Sequence, residues 1–139
     1  MAINSPQYSE SAKDFLLNFS YPEDWATWNN GKSSVIGFNL KSFPDDLIFE
    51  ASVLPFTIPD RLPTQEIKFS VNGHYIDNIT LTEKRIQKIA FVIPNAVLKE
   101  GINSLLFEFP NAATPKELGI HEDTRQLGVA FEWFKIDKM

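Results

Sequence analysis

The sequence predicts an all-β fold: a two-layer antiparallel β-sandwich, jelly-roll-like, with one or two short helical turns. Three observations carry this expectation. Apolar and polar residues alternate with period two in one short stretch after another, and no stretch keeps a helical period. Turn signals rich in Pro, Gly, Asn and Asp separate those stretches, as in a sandwich of many short strands. Twelve Phe, three Trp and three Tyr supply large rings that favour strands and fill a thin core.

The elements follow in chain order. Residues 1–14 are polar and read as an extended lead-in. Residues 15–139 read as a single β-sandwich domain, with no repeat and no internal boundary. Phe15, Leu17 and Phe19 alternate with Leu16, Asn18 and Ser20, which predicts a strand burying the first set. Tyr21-Pro22-Glu23-Asp24 is a turn signal, because proline fixes φ and aspartate caps locally. Ile36, Phe38 and Leu40 alternate next, and Lys41 to Asp46 breaks that strand. Leu47, Phe49, Ala51 and Val53 follow. Leu54, Phe56 and Ile58 then run out of phase around Pro55, which predicts a bulge or an edge.

Ile67, Phe69 and Val71 lead into Asn72-Gly73, the strongest hairpin signal in the chain. Tyr75 to Leu81 is the returning strand. Ile89, Phe91 and Ile93 form another, stopped by Pro94. Asn95 to Glu100 fits one helical turn with Gly101 beyond it. Leu105, Phe107 and Phe109 alternate again. Asn111 to Gln126 is the longest irregular segment, with a short helical turn expected at Pro115–Gly119. Leu127 to Ile136 is the last strand. Its apolar residues crowd both faces, which predicts a central position or a bulge.

A chain of 139 residues builds one domain with a sizeable core. The net charge is −5 and no Lys/Arg cluster occurs, which argues against nucleic acid and anionic membrane surfaces as partners. No apolar run approaches the roughly 20 residues that span a bilayer. The N-terminus lacks a basic start followed by an apolar stretch, so no signal peptide is expected. The absence of cysteine removes disulfides, thiol nucleophiles and thiolate metal sites.

Catalytic motifs are incomplete. Gly31-Lys32-Ser33 ends like a phosphate-binding loop, but Ala26 stands where that loop needs glycine and a strand pattern follows. His121-Glu122 begins like a zinc-protease helix, but Arg125 occupies the second histidine's place. His74 and His121 are the only histidines, so a multi-histidine metal centre is hard to build. The pairs Glu23-Asp24, Asp45-Asp46 and Glu122-Asp123 do not show the facing carboxylates of a glycosidase. No enzyme activity, catalytic residue, metal or cofactor is expected, although a structural calcium on loop carboxylates stays open.

Two segments are neither simple strands nor simple loops. One runs Phe19-Ser20-Tyr21-Pro22-Glu23-Asp24-Trp25-Ala26-Thr27-Trp28. The other runs Thr114-Pro115-Lys116-Glu117-Leu118-Gly119 and continues through Asp123, Arg125, Leu127 and Gly128. Together they resemble the jelly-roll-like accessory domain at the C-termini of bacterial membrane or envelope proteins. Those proteins include glycosyltransferases and phosphoglycerol-transferase-like enzymes of surface-polysaccharide assembly. The likeness covers about Phe15 to Ile136. The family usually has Gly at the place of Ala26 and often Ser at the place of Thr114. The resemblance implies a bacterial, envelope-associated setting and a carbohydrate-related role, with a glycan or a parent glycosyltransferase-type protein as partner.

The physical reading of these segments has two branches. In one, Trp25 and Trp28 stack on a sugar while Glu23, Asp24 and Asn29 bond its hydroxyls, as in aromatic-walled sites. In the other, the tryptophans plug the end of the sandwich. Arg125, Asp123 and Glu117 are the candidate structural lock, since a guanidinium offers five donors. The expected function is a non-catalytic carbohydrate-binding or accessory module. The alternative is a structural or protein-interaction domain that docks onto a parent enzyme or partner.

Overall fold

A computed structural model describes residues 3–4, 15–41 and 45–139. Two sheets pack face to face, and ten strands lie among the described residues: β1 (Ile3–Asn4), β2 (Phe15–Leu17), β3 (Thr27–Trp28), β4 (Ser33–Leu40), β5 (Leu47–Pro55), β6 (Gln65–Val71), β7 (His74–Leu81), β8 (Gln87–Ile93), β9 (Gly101–Glu108) and β10 (Val129–Lys138). One sheet has the order β1-β10-β5-β8, with β3 also on β10; the other has the order β2-β4-β9-β6-β7. Pairing is antiparallel except for β1, which runs parallel to β10. Every connection except the β6–β7 hairpin crosses from one sheet to the other. The fold is therefore the expected all-β sandwich, and its crossing loops gather at the two ends.

The core is a stack of phenylalanines. Phe69 lies flat on Phe91, with centroids 4.6 Å apart and planes 8° apart. Phe49 touches Phe69, Phe107 and Phe134, and Phe107 reaches Phe131. These rings come from both sheets and all face inward, as the period-two pattern requires.

Asn72 and Gly73 both have positive φ, at 49° and 84°. Two such residues make the mirror-image turn whose twist suits a hairpin. Asn72 also ties this end together. Its Oδ1 accepts from the Ser104 amide, and its Nδ2 donates to Val97 O and Asn103 Oδ1. The predicted helical turn is a short 3-10 helix at Asn95–Val97. The second, at Pro115–Gly119, is a run of hydrogen-bonded turns without a helix.

Two expectations are corrected and a third is made specific. First, in β2 it is Leu16 rather than Leu17 that faces the core. Leu16 packs against the core while Leu17 is exposed, and Leu17 pairs with Val35 on the outer surface. Asn18, at φ 60°, then resets the phase so that Phe19 turns inward onto Phe131. Second, β5 is neither bulged nor at an edge: it lies between β10 and β8, and Pro55 stays in phase and buried. Leu54 is apolar because it sits opposite Ala130, itself paired with Trp28, on the outer face. Third, the irregularity lies on β10, where Glu132 is an extra residue between Phe131 and Trp133. That bulge turns Trp133 outward, and the Ser52 hydroxyl donates to Glu132 at 2.8 Å. β10 is also central, so both parts of the reading of the last strand hold. Of the 1–14 lead-in, only Ile3 and Asn4 fall within the described residues, and they form β1.

Candidate functional site

The two segments singled out in the sequence meet at one end of the sandwich. The first is the crossing loop from β2 to β3, and the second is the long crossing from β9 to β10. Backbone bonds close the first on itself and tie it to the second. Ser20 N donates to Trp28 O, Asn30 N to Asn18 O, and Gly31 N to Gln126 O. Within the first loop Glu23 N donates to Ala26 O at 2.9 Å, which closes a tight turn with Trp25 at its tip. Ala26 is completely buried below it.

The tryptophans divide their roles. Trp25 is 41% exposed and meets Trp28 edge-on at 6.4 Å. Trp28 is half-buried, and its far side meets Phe56 edge-on at 6.2 Å. Trp28 thus props Trp25 and closes the sandwich, while Trp25 presents its ring to solvent. Edge-to-face pairs of this kind contribute roughly 0.5–1.5 kcal/mol beyond area burial.

Arg125 is the hub beneath the loop. Its Nε donates to both carboxylate oxygens of Asp123, and its Nη2 donates to Oδ2 at 2.7 Å. Nη1 donates to Ser20 Oγ at 3.0 Å and to Glu23 Oε2 at 3.3 Å. The guanidinium also lies over the ring of Tyr21, 5.4 Å from its centroid, a cation–π geometry. The hydrogen bond from Arg125 holds the Asp123 carboxyl below the usual aspartate range, against an opposing effect of burial. The same bond raises the affinity of Arg125 for its proton. The lock therefore joins Arg125 to Asp123 and Glu23. Glu117 lies outside it: its carboxylate accepts from Thr114 N while Thr114 Oγ1 accepts from Glu117 N, a local capping box.

Asn29 is corrected as a sugar-binding candidate. It is fully buried, and its side chain is committed to the backbone. Its Oδ1 accepts from Gly128 N at 2.6 Å and Val129 N at 2.9 Å, and its Nδ2 donates to Gly31 O. A β-carbon on Gly128 would come within 2.9 Å of that Oδ1 and of the Phe109 ring. The Leu127-Gly128 part of the second motif is thus explained by close packing of one loop on the other. Asp24 is exposed beside Trp25, and Glu23 is half-buried in the lock.

The sequence reading gave no role to the ring of Tyr21, which is 67% exposed at the loop's surface. The signal was present, because Pro22 holds the residue before it extended and turn segments run over the surface. Among the described residues no three His, Asp or Glu side chains converge to hold a metal ion. Gly31-Lys32-Ser33 forms a turn entering β4, and Lys32 Nζ donates to Pro110 O.

No family model matches the sequence, and no curated protein matches it. Solved structures of the same architecture do. The chain is similar to a cycloalternan-forming enzyme from Listeria monocytogenes, solved with a pentasaccharide substrate. There the TM-score is 0.54 at 16% identity, over 90% of this chain and 11% of that one. This chain thus spans 11% of the length of that enzyme. It is also similar to a family 6 carbohydrate-binding module from Clostridium stercorarium in complex with cellobiose. The TM-score is 0.52 at 12% identity, over 99% of this chain and 98% of that one. A third is the C-terminal family 6 module of a marine laminarinase from Zobellia galactanivorans. Its TM-score is 0.52 at 8% identity, over 89% and 91% of the two chains. At these identities the likeness establishes the sandwich fold.

Proposed function

We propose that this domain is a non-catalytic carbohydrate-binding module, and that it contacts its glycan through the loop bearing Tyr21 and Trp25. The observation that carries this reading is the exposure of both rings on a loop closed by its own backbone bonds, Ser20 N to Trp28 O and Glu23 N to Ala26 O, and tied through the Ser20 and Glu23 side chains to Arg125. An exposed large aromatic ring on a rigid support is ready to stack on the apolar face of a pyranose, and the ordering cost is already met. The architecture shared with modules solved alone or with cellobiose supports the same reading. Asp24 is placed next to Trp25 to accept from a sugar hydroxyl. One stacked ring and a few hydrogen bonds in competition with water fit a dissociation constant near millimolar, about −4.1 kcal/mol. As its setting we propose bacterial surface-glycan assembly at the cell envelope, in or beside a glycosyltransferase-type protein. The two end-loop motifs support that part of the proposal.

The test is titration with bacterial surface oligosaccharides and neutral β-glucan fragments, followed by single substitutions. Trp25→Ala and Tyr21→Ala are expected to stay folded and to weaken binding at least tenfold, about 1.4 kcal/mol. Trp28→Ala is expected to lower the melting temperature, because Trp28 packs between Trp25 and Phe56. Unchanged binding by folded Trp25→Ala and Tyr21→Ala proteins would place the contact elsewhere.

One observation favours the second reading, a docking domain. On the outer face of the second sheet, Leu17, Val35, Leu106, Ser70 and Tyr75 pair in one cross-strand row spanning all five strands. The row carries no charge, and Leu17 and Tyr75 are exposed. A docking role predicts that Leu17→Lys keeps sugar binding and loses attachment to the parent protein.

A further inference from the structure

The chemistry around the two exposed rings also bears on which glycans they accept. We infer that the site takes uncharged glycans and turns away acidic ones; this inference rests on the carbohydrate-binding reading above. Arg125 lies directly beside Tyr21 and would be the natural partner for a uronate or a phosphate. It is already committed. Its Nε and Nη2 engage both oxygens of Asp123, its Nη1 serves Ser20 and Glu23, and one face of the guanidinium is covered by Tyr21. An anionic sugar would have to break a bidentate ion pair to recruit it, and would leave Asp123 without its cation.

The rest of the surroundings are acidic. Glu23 and Asp24 lie at the tip of the first loop, and Glu122 and Asp123 lie on the second loop, which Arg125 ties to the first by bridging Asp123 and Glu23. Besides Arg125, the cations at these loops among the described residues include Lys116, which lies 3.8 Å from Glu122, and Arg61, whose Nη1 donates to Leu118 O. Counting Glu117 as well, five carboxylates stand against Arg125, Lys116 and Arg61, so an approaching carboxylate or phosphate meets net repulsion. A neutral pyranose meets none and finds the rings and the Asp24 carboxylate. Charge arranged in this way acts on specificity more than on affinity.

The experiment compares neutral and acidic tetrasaccharides of matched length on the intact chain: cello-, laminari- and galactotetraose against tetragalacturonate. Intrinsic tryptophan fluorescence and calorimetry at low and high salt provide the readouts. A neutral member is expected to bind, with tetragalacturonate roughly tenfold weaker at low salt. The gap should narrow at about 0.5 M salt, where screening shortens to a few ångströms. It should also narrow, with neutral binding unchanged, in Glu122→Gln, an exposed position whose replacement leaves the lock intact. Equal or tighter binding of tetragalacturonate would overturn the inference and leave the carbohydrate-binding reading standing. Binding by no member of the panel would overturn both.

Discussion

Asp123 shows how one side chain sets the acid tolerance of this end of the molecule. Its carboxyl accepts from Arg125 in the folded chain, which holds its proton affinity below that of an unfolded aspartate. A depressed folded value means that the stabilisation is present above the unfolded value, about 3.9, and is lost as pH falls through the lower folded one. Glu50 acts in the same sense on the outer face of the first sheet, where Lys88 and Lys135 hold it. We expect Asp123→Asn to lower the urea midpoint at pH 7 and to flatten the decline of stability below about pH 4. Urea titrations of both proteins across pH 2–7 check this, and parallel acid limbs would show that the lock is energetically silent. At this scale the sequence was only partly legible. That Arg125 would lock onto Asp123 followed from the five donors of a guanidinium, but the second carboxylate is Glu23 rather than Glu117. That Asn29 is buried did not follow, because its partners are backbone amides a hundred positions away. Side-chain type reveals hydrogen-bonding capacity, whereas only the packed loops decide who fills it.

Strands were legible wherever alternation ran uninterrupted between turn residues. β6 is the clearest case: Ile67, Phe69 and Val71 all point inward and Asn72-Gly73 closes the hairpin. Phe69→Ala should therefore cost about 3–5 kcal/mol, as for other fully buried rings, and chemical denaturation measures it. A loss below about 1 kcal/mol would mean that the strand's two faces are exchanged. Short strands were less legible. β2 has three residues, Leu16 and Leu17 are equally apolar, and the inward one is chosen by pairing with β4. The left-handed backbone at Asn18 lets Leu16 and Phe19 both reach the core, at a spacing that alternation alone forbids. β10 was legible as an irregular central strand, though not the place of its extra residue. A ten-residue strand with one inserted residue changes phase midway, so its apolar residues look crowded until the bulge is located.

For the molecule as a whole, the decisive feature is that β10, the strand latest in the sequence, lies at the centre of its sheet. β5 pairs with it along its full length, from Leu47–Lys138 to Pro55–Val129. Such remote pairing must close a long loop before it returns any energy, which places refolding in the millisecond-to-second range typical of all-β domains. Stopped-flow refolding followed by tryptophan fluorescence should find a main phase there; completion within tens of microseconds would contradict the topology. Synthesis is slower still. At about 5–20 residues per second, roughly 4–15 s separate the emergence of Pro55 from that of Val129. Throughout that interval β5 has a bare edge and an apolar face with no sheet centre to join. The nascent chain is thus most vulnerable to aggregation while its longest partnership is pending, and chaperone dependence should track the delivery of β10 rather than the stability of the finished domain.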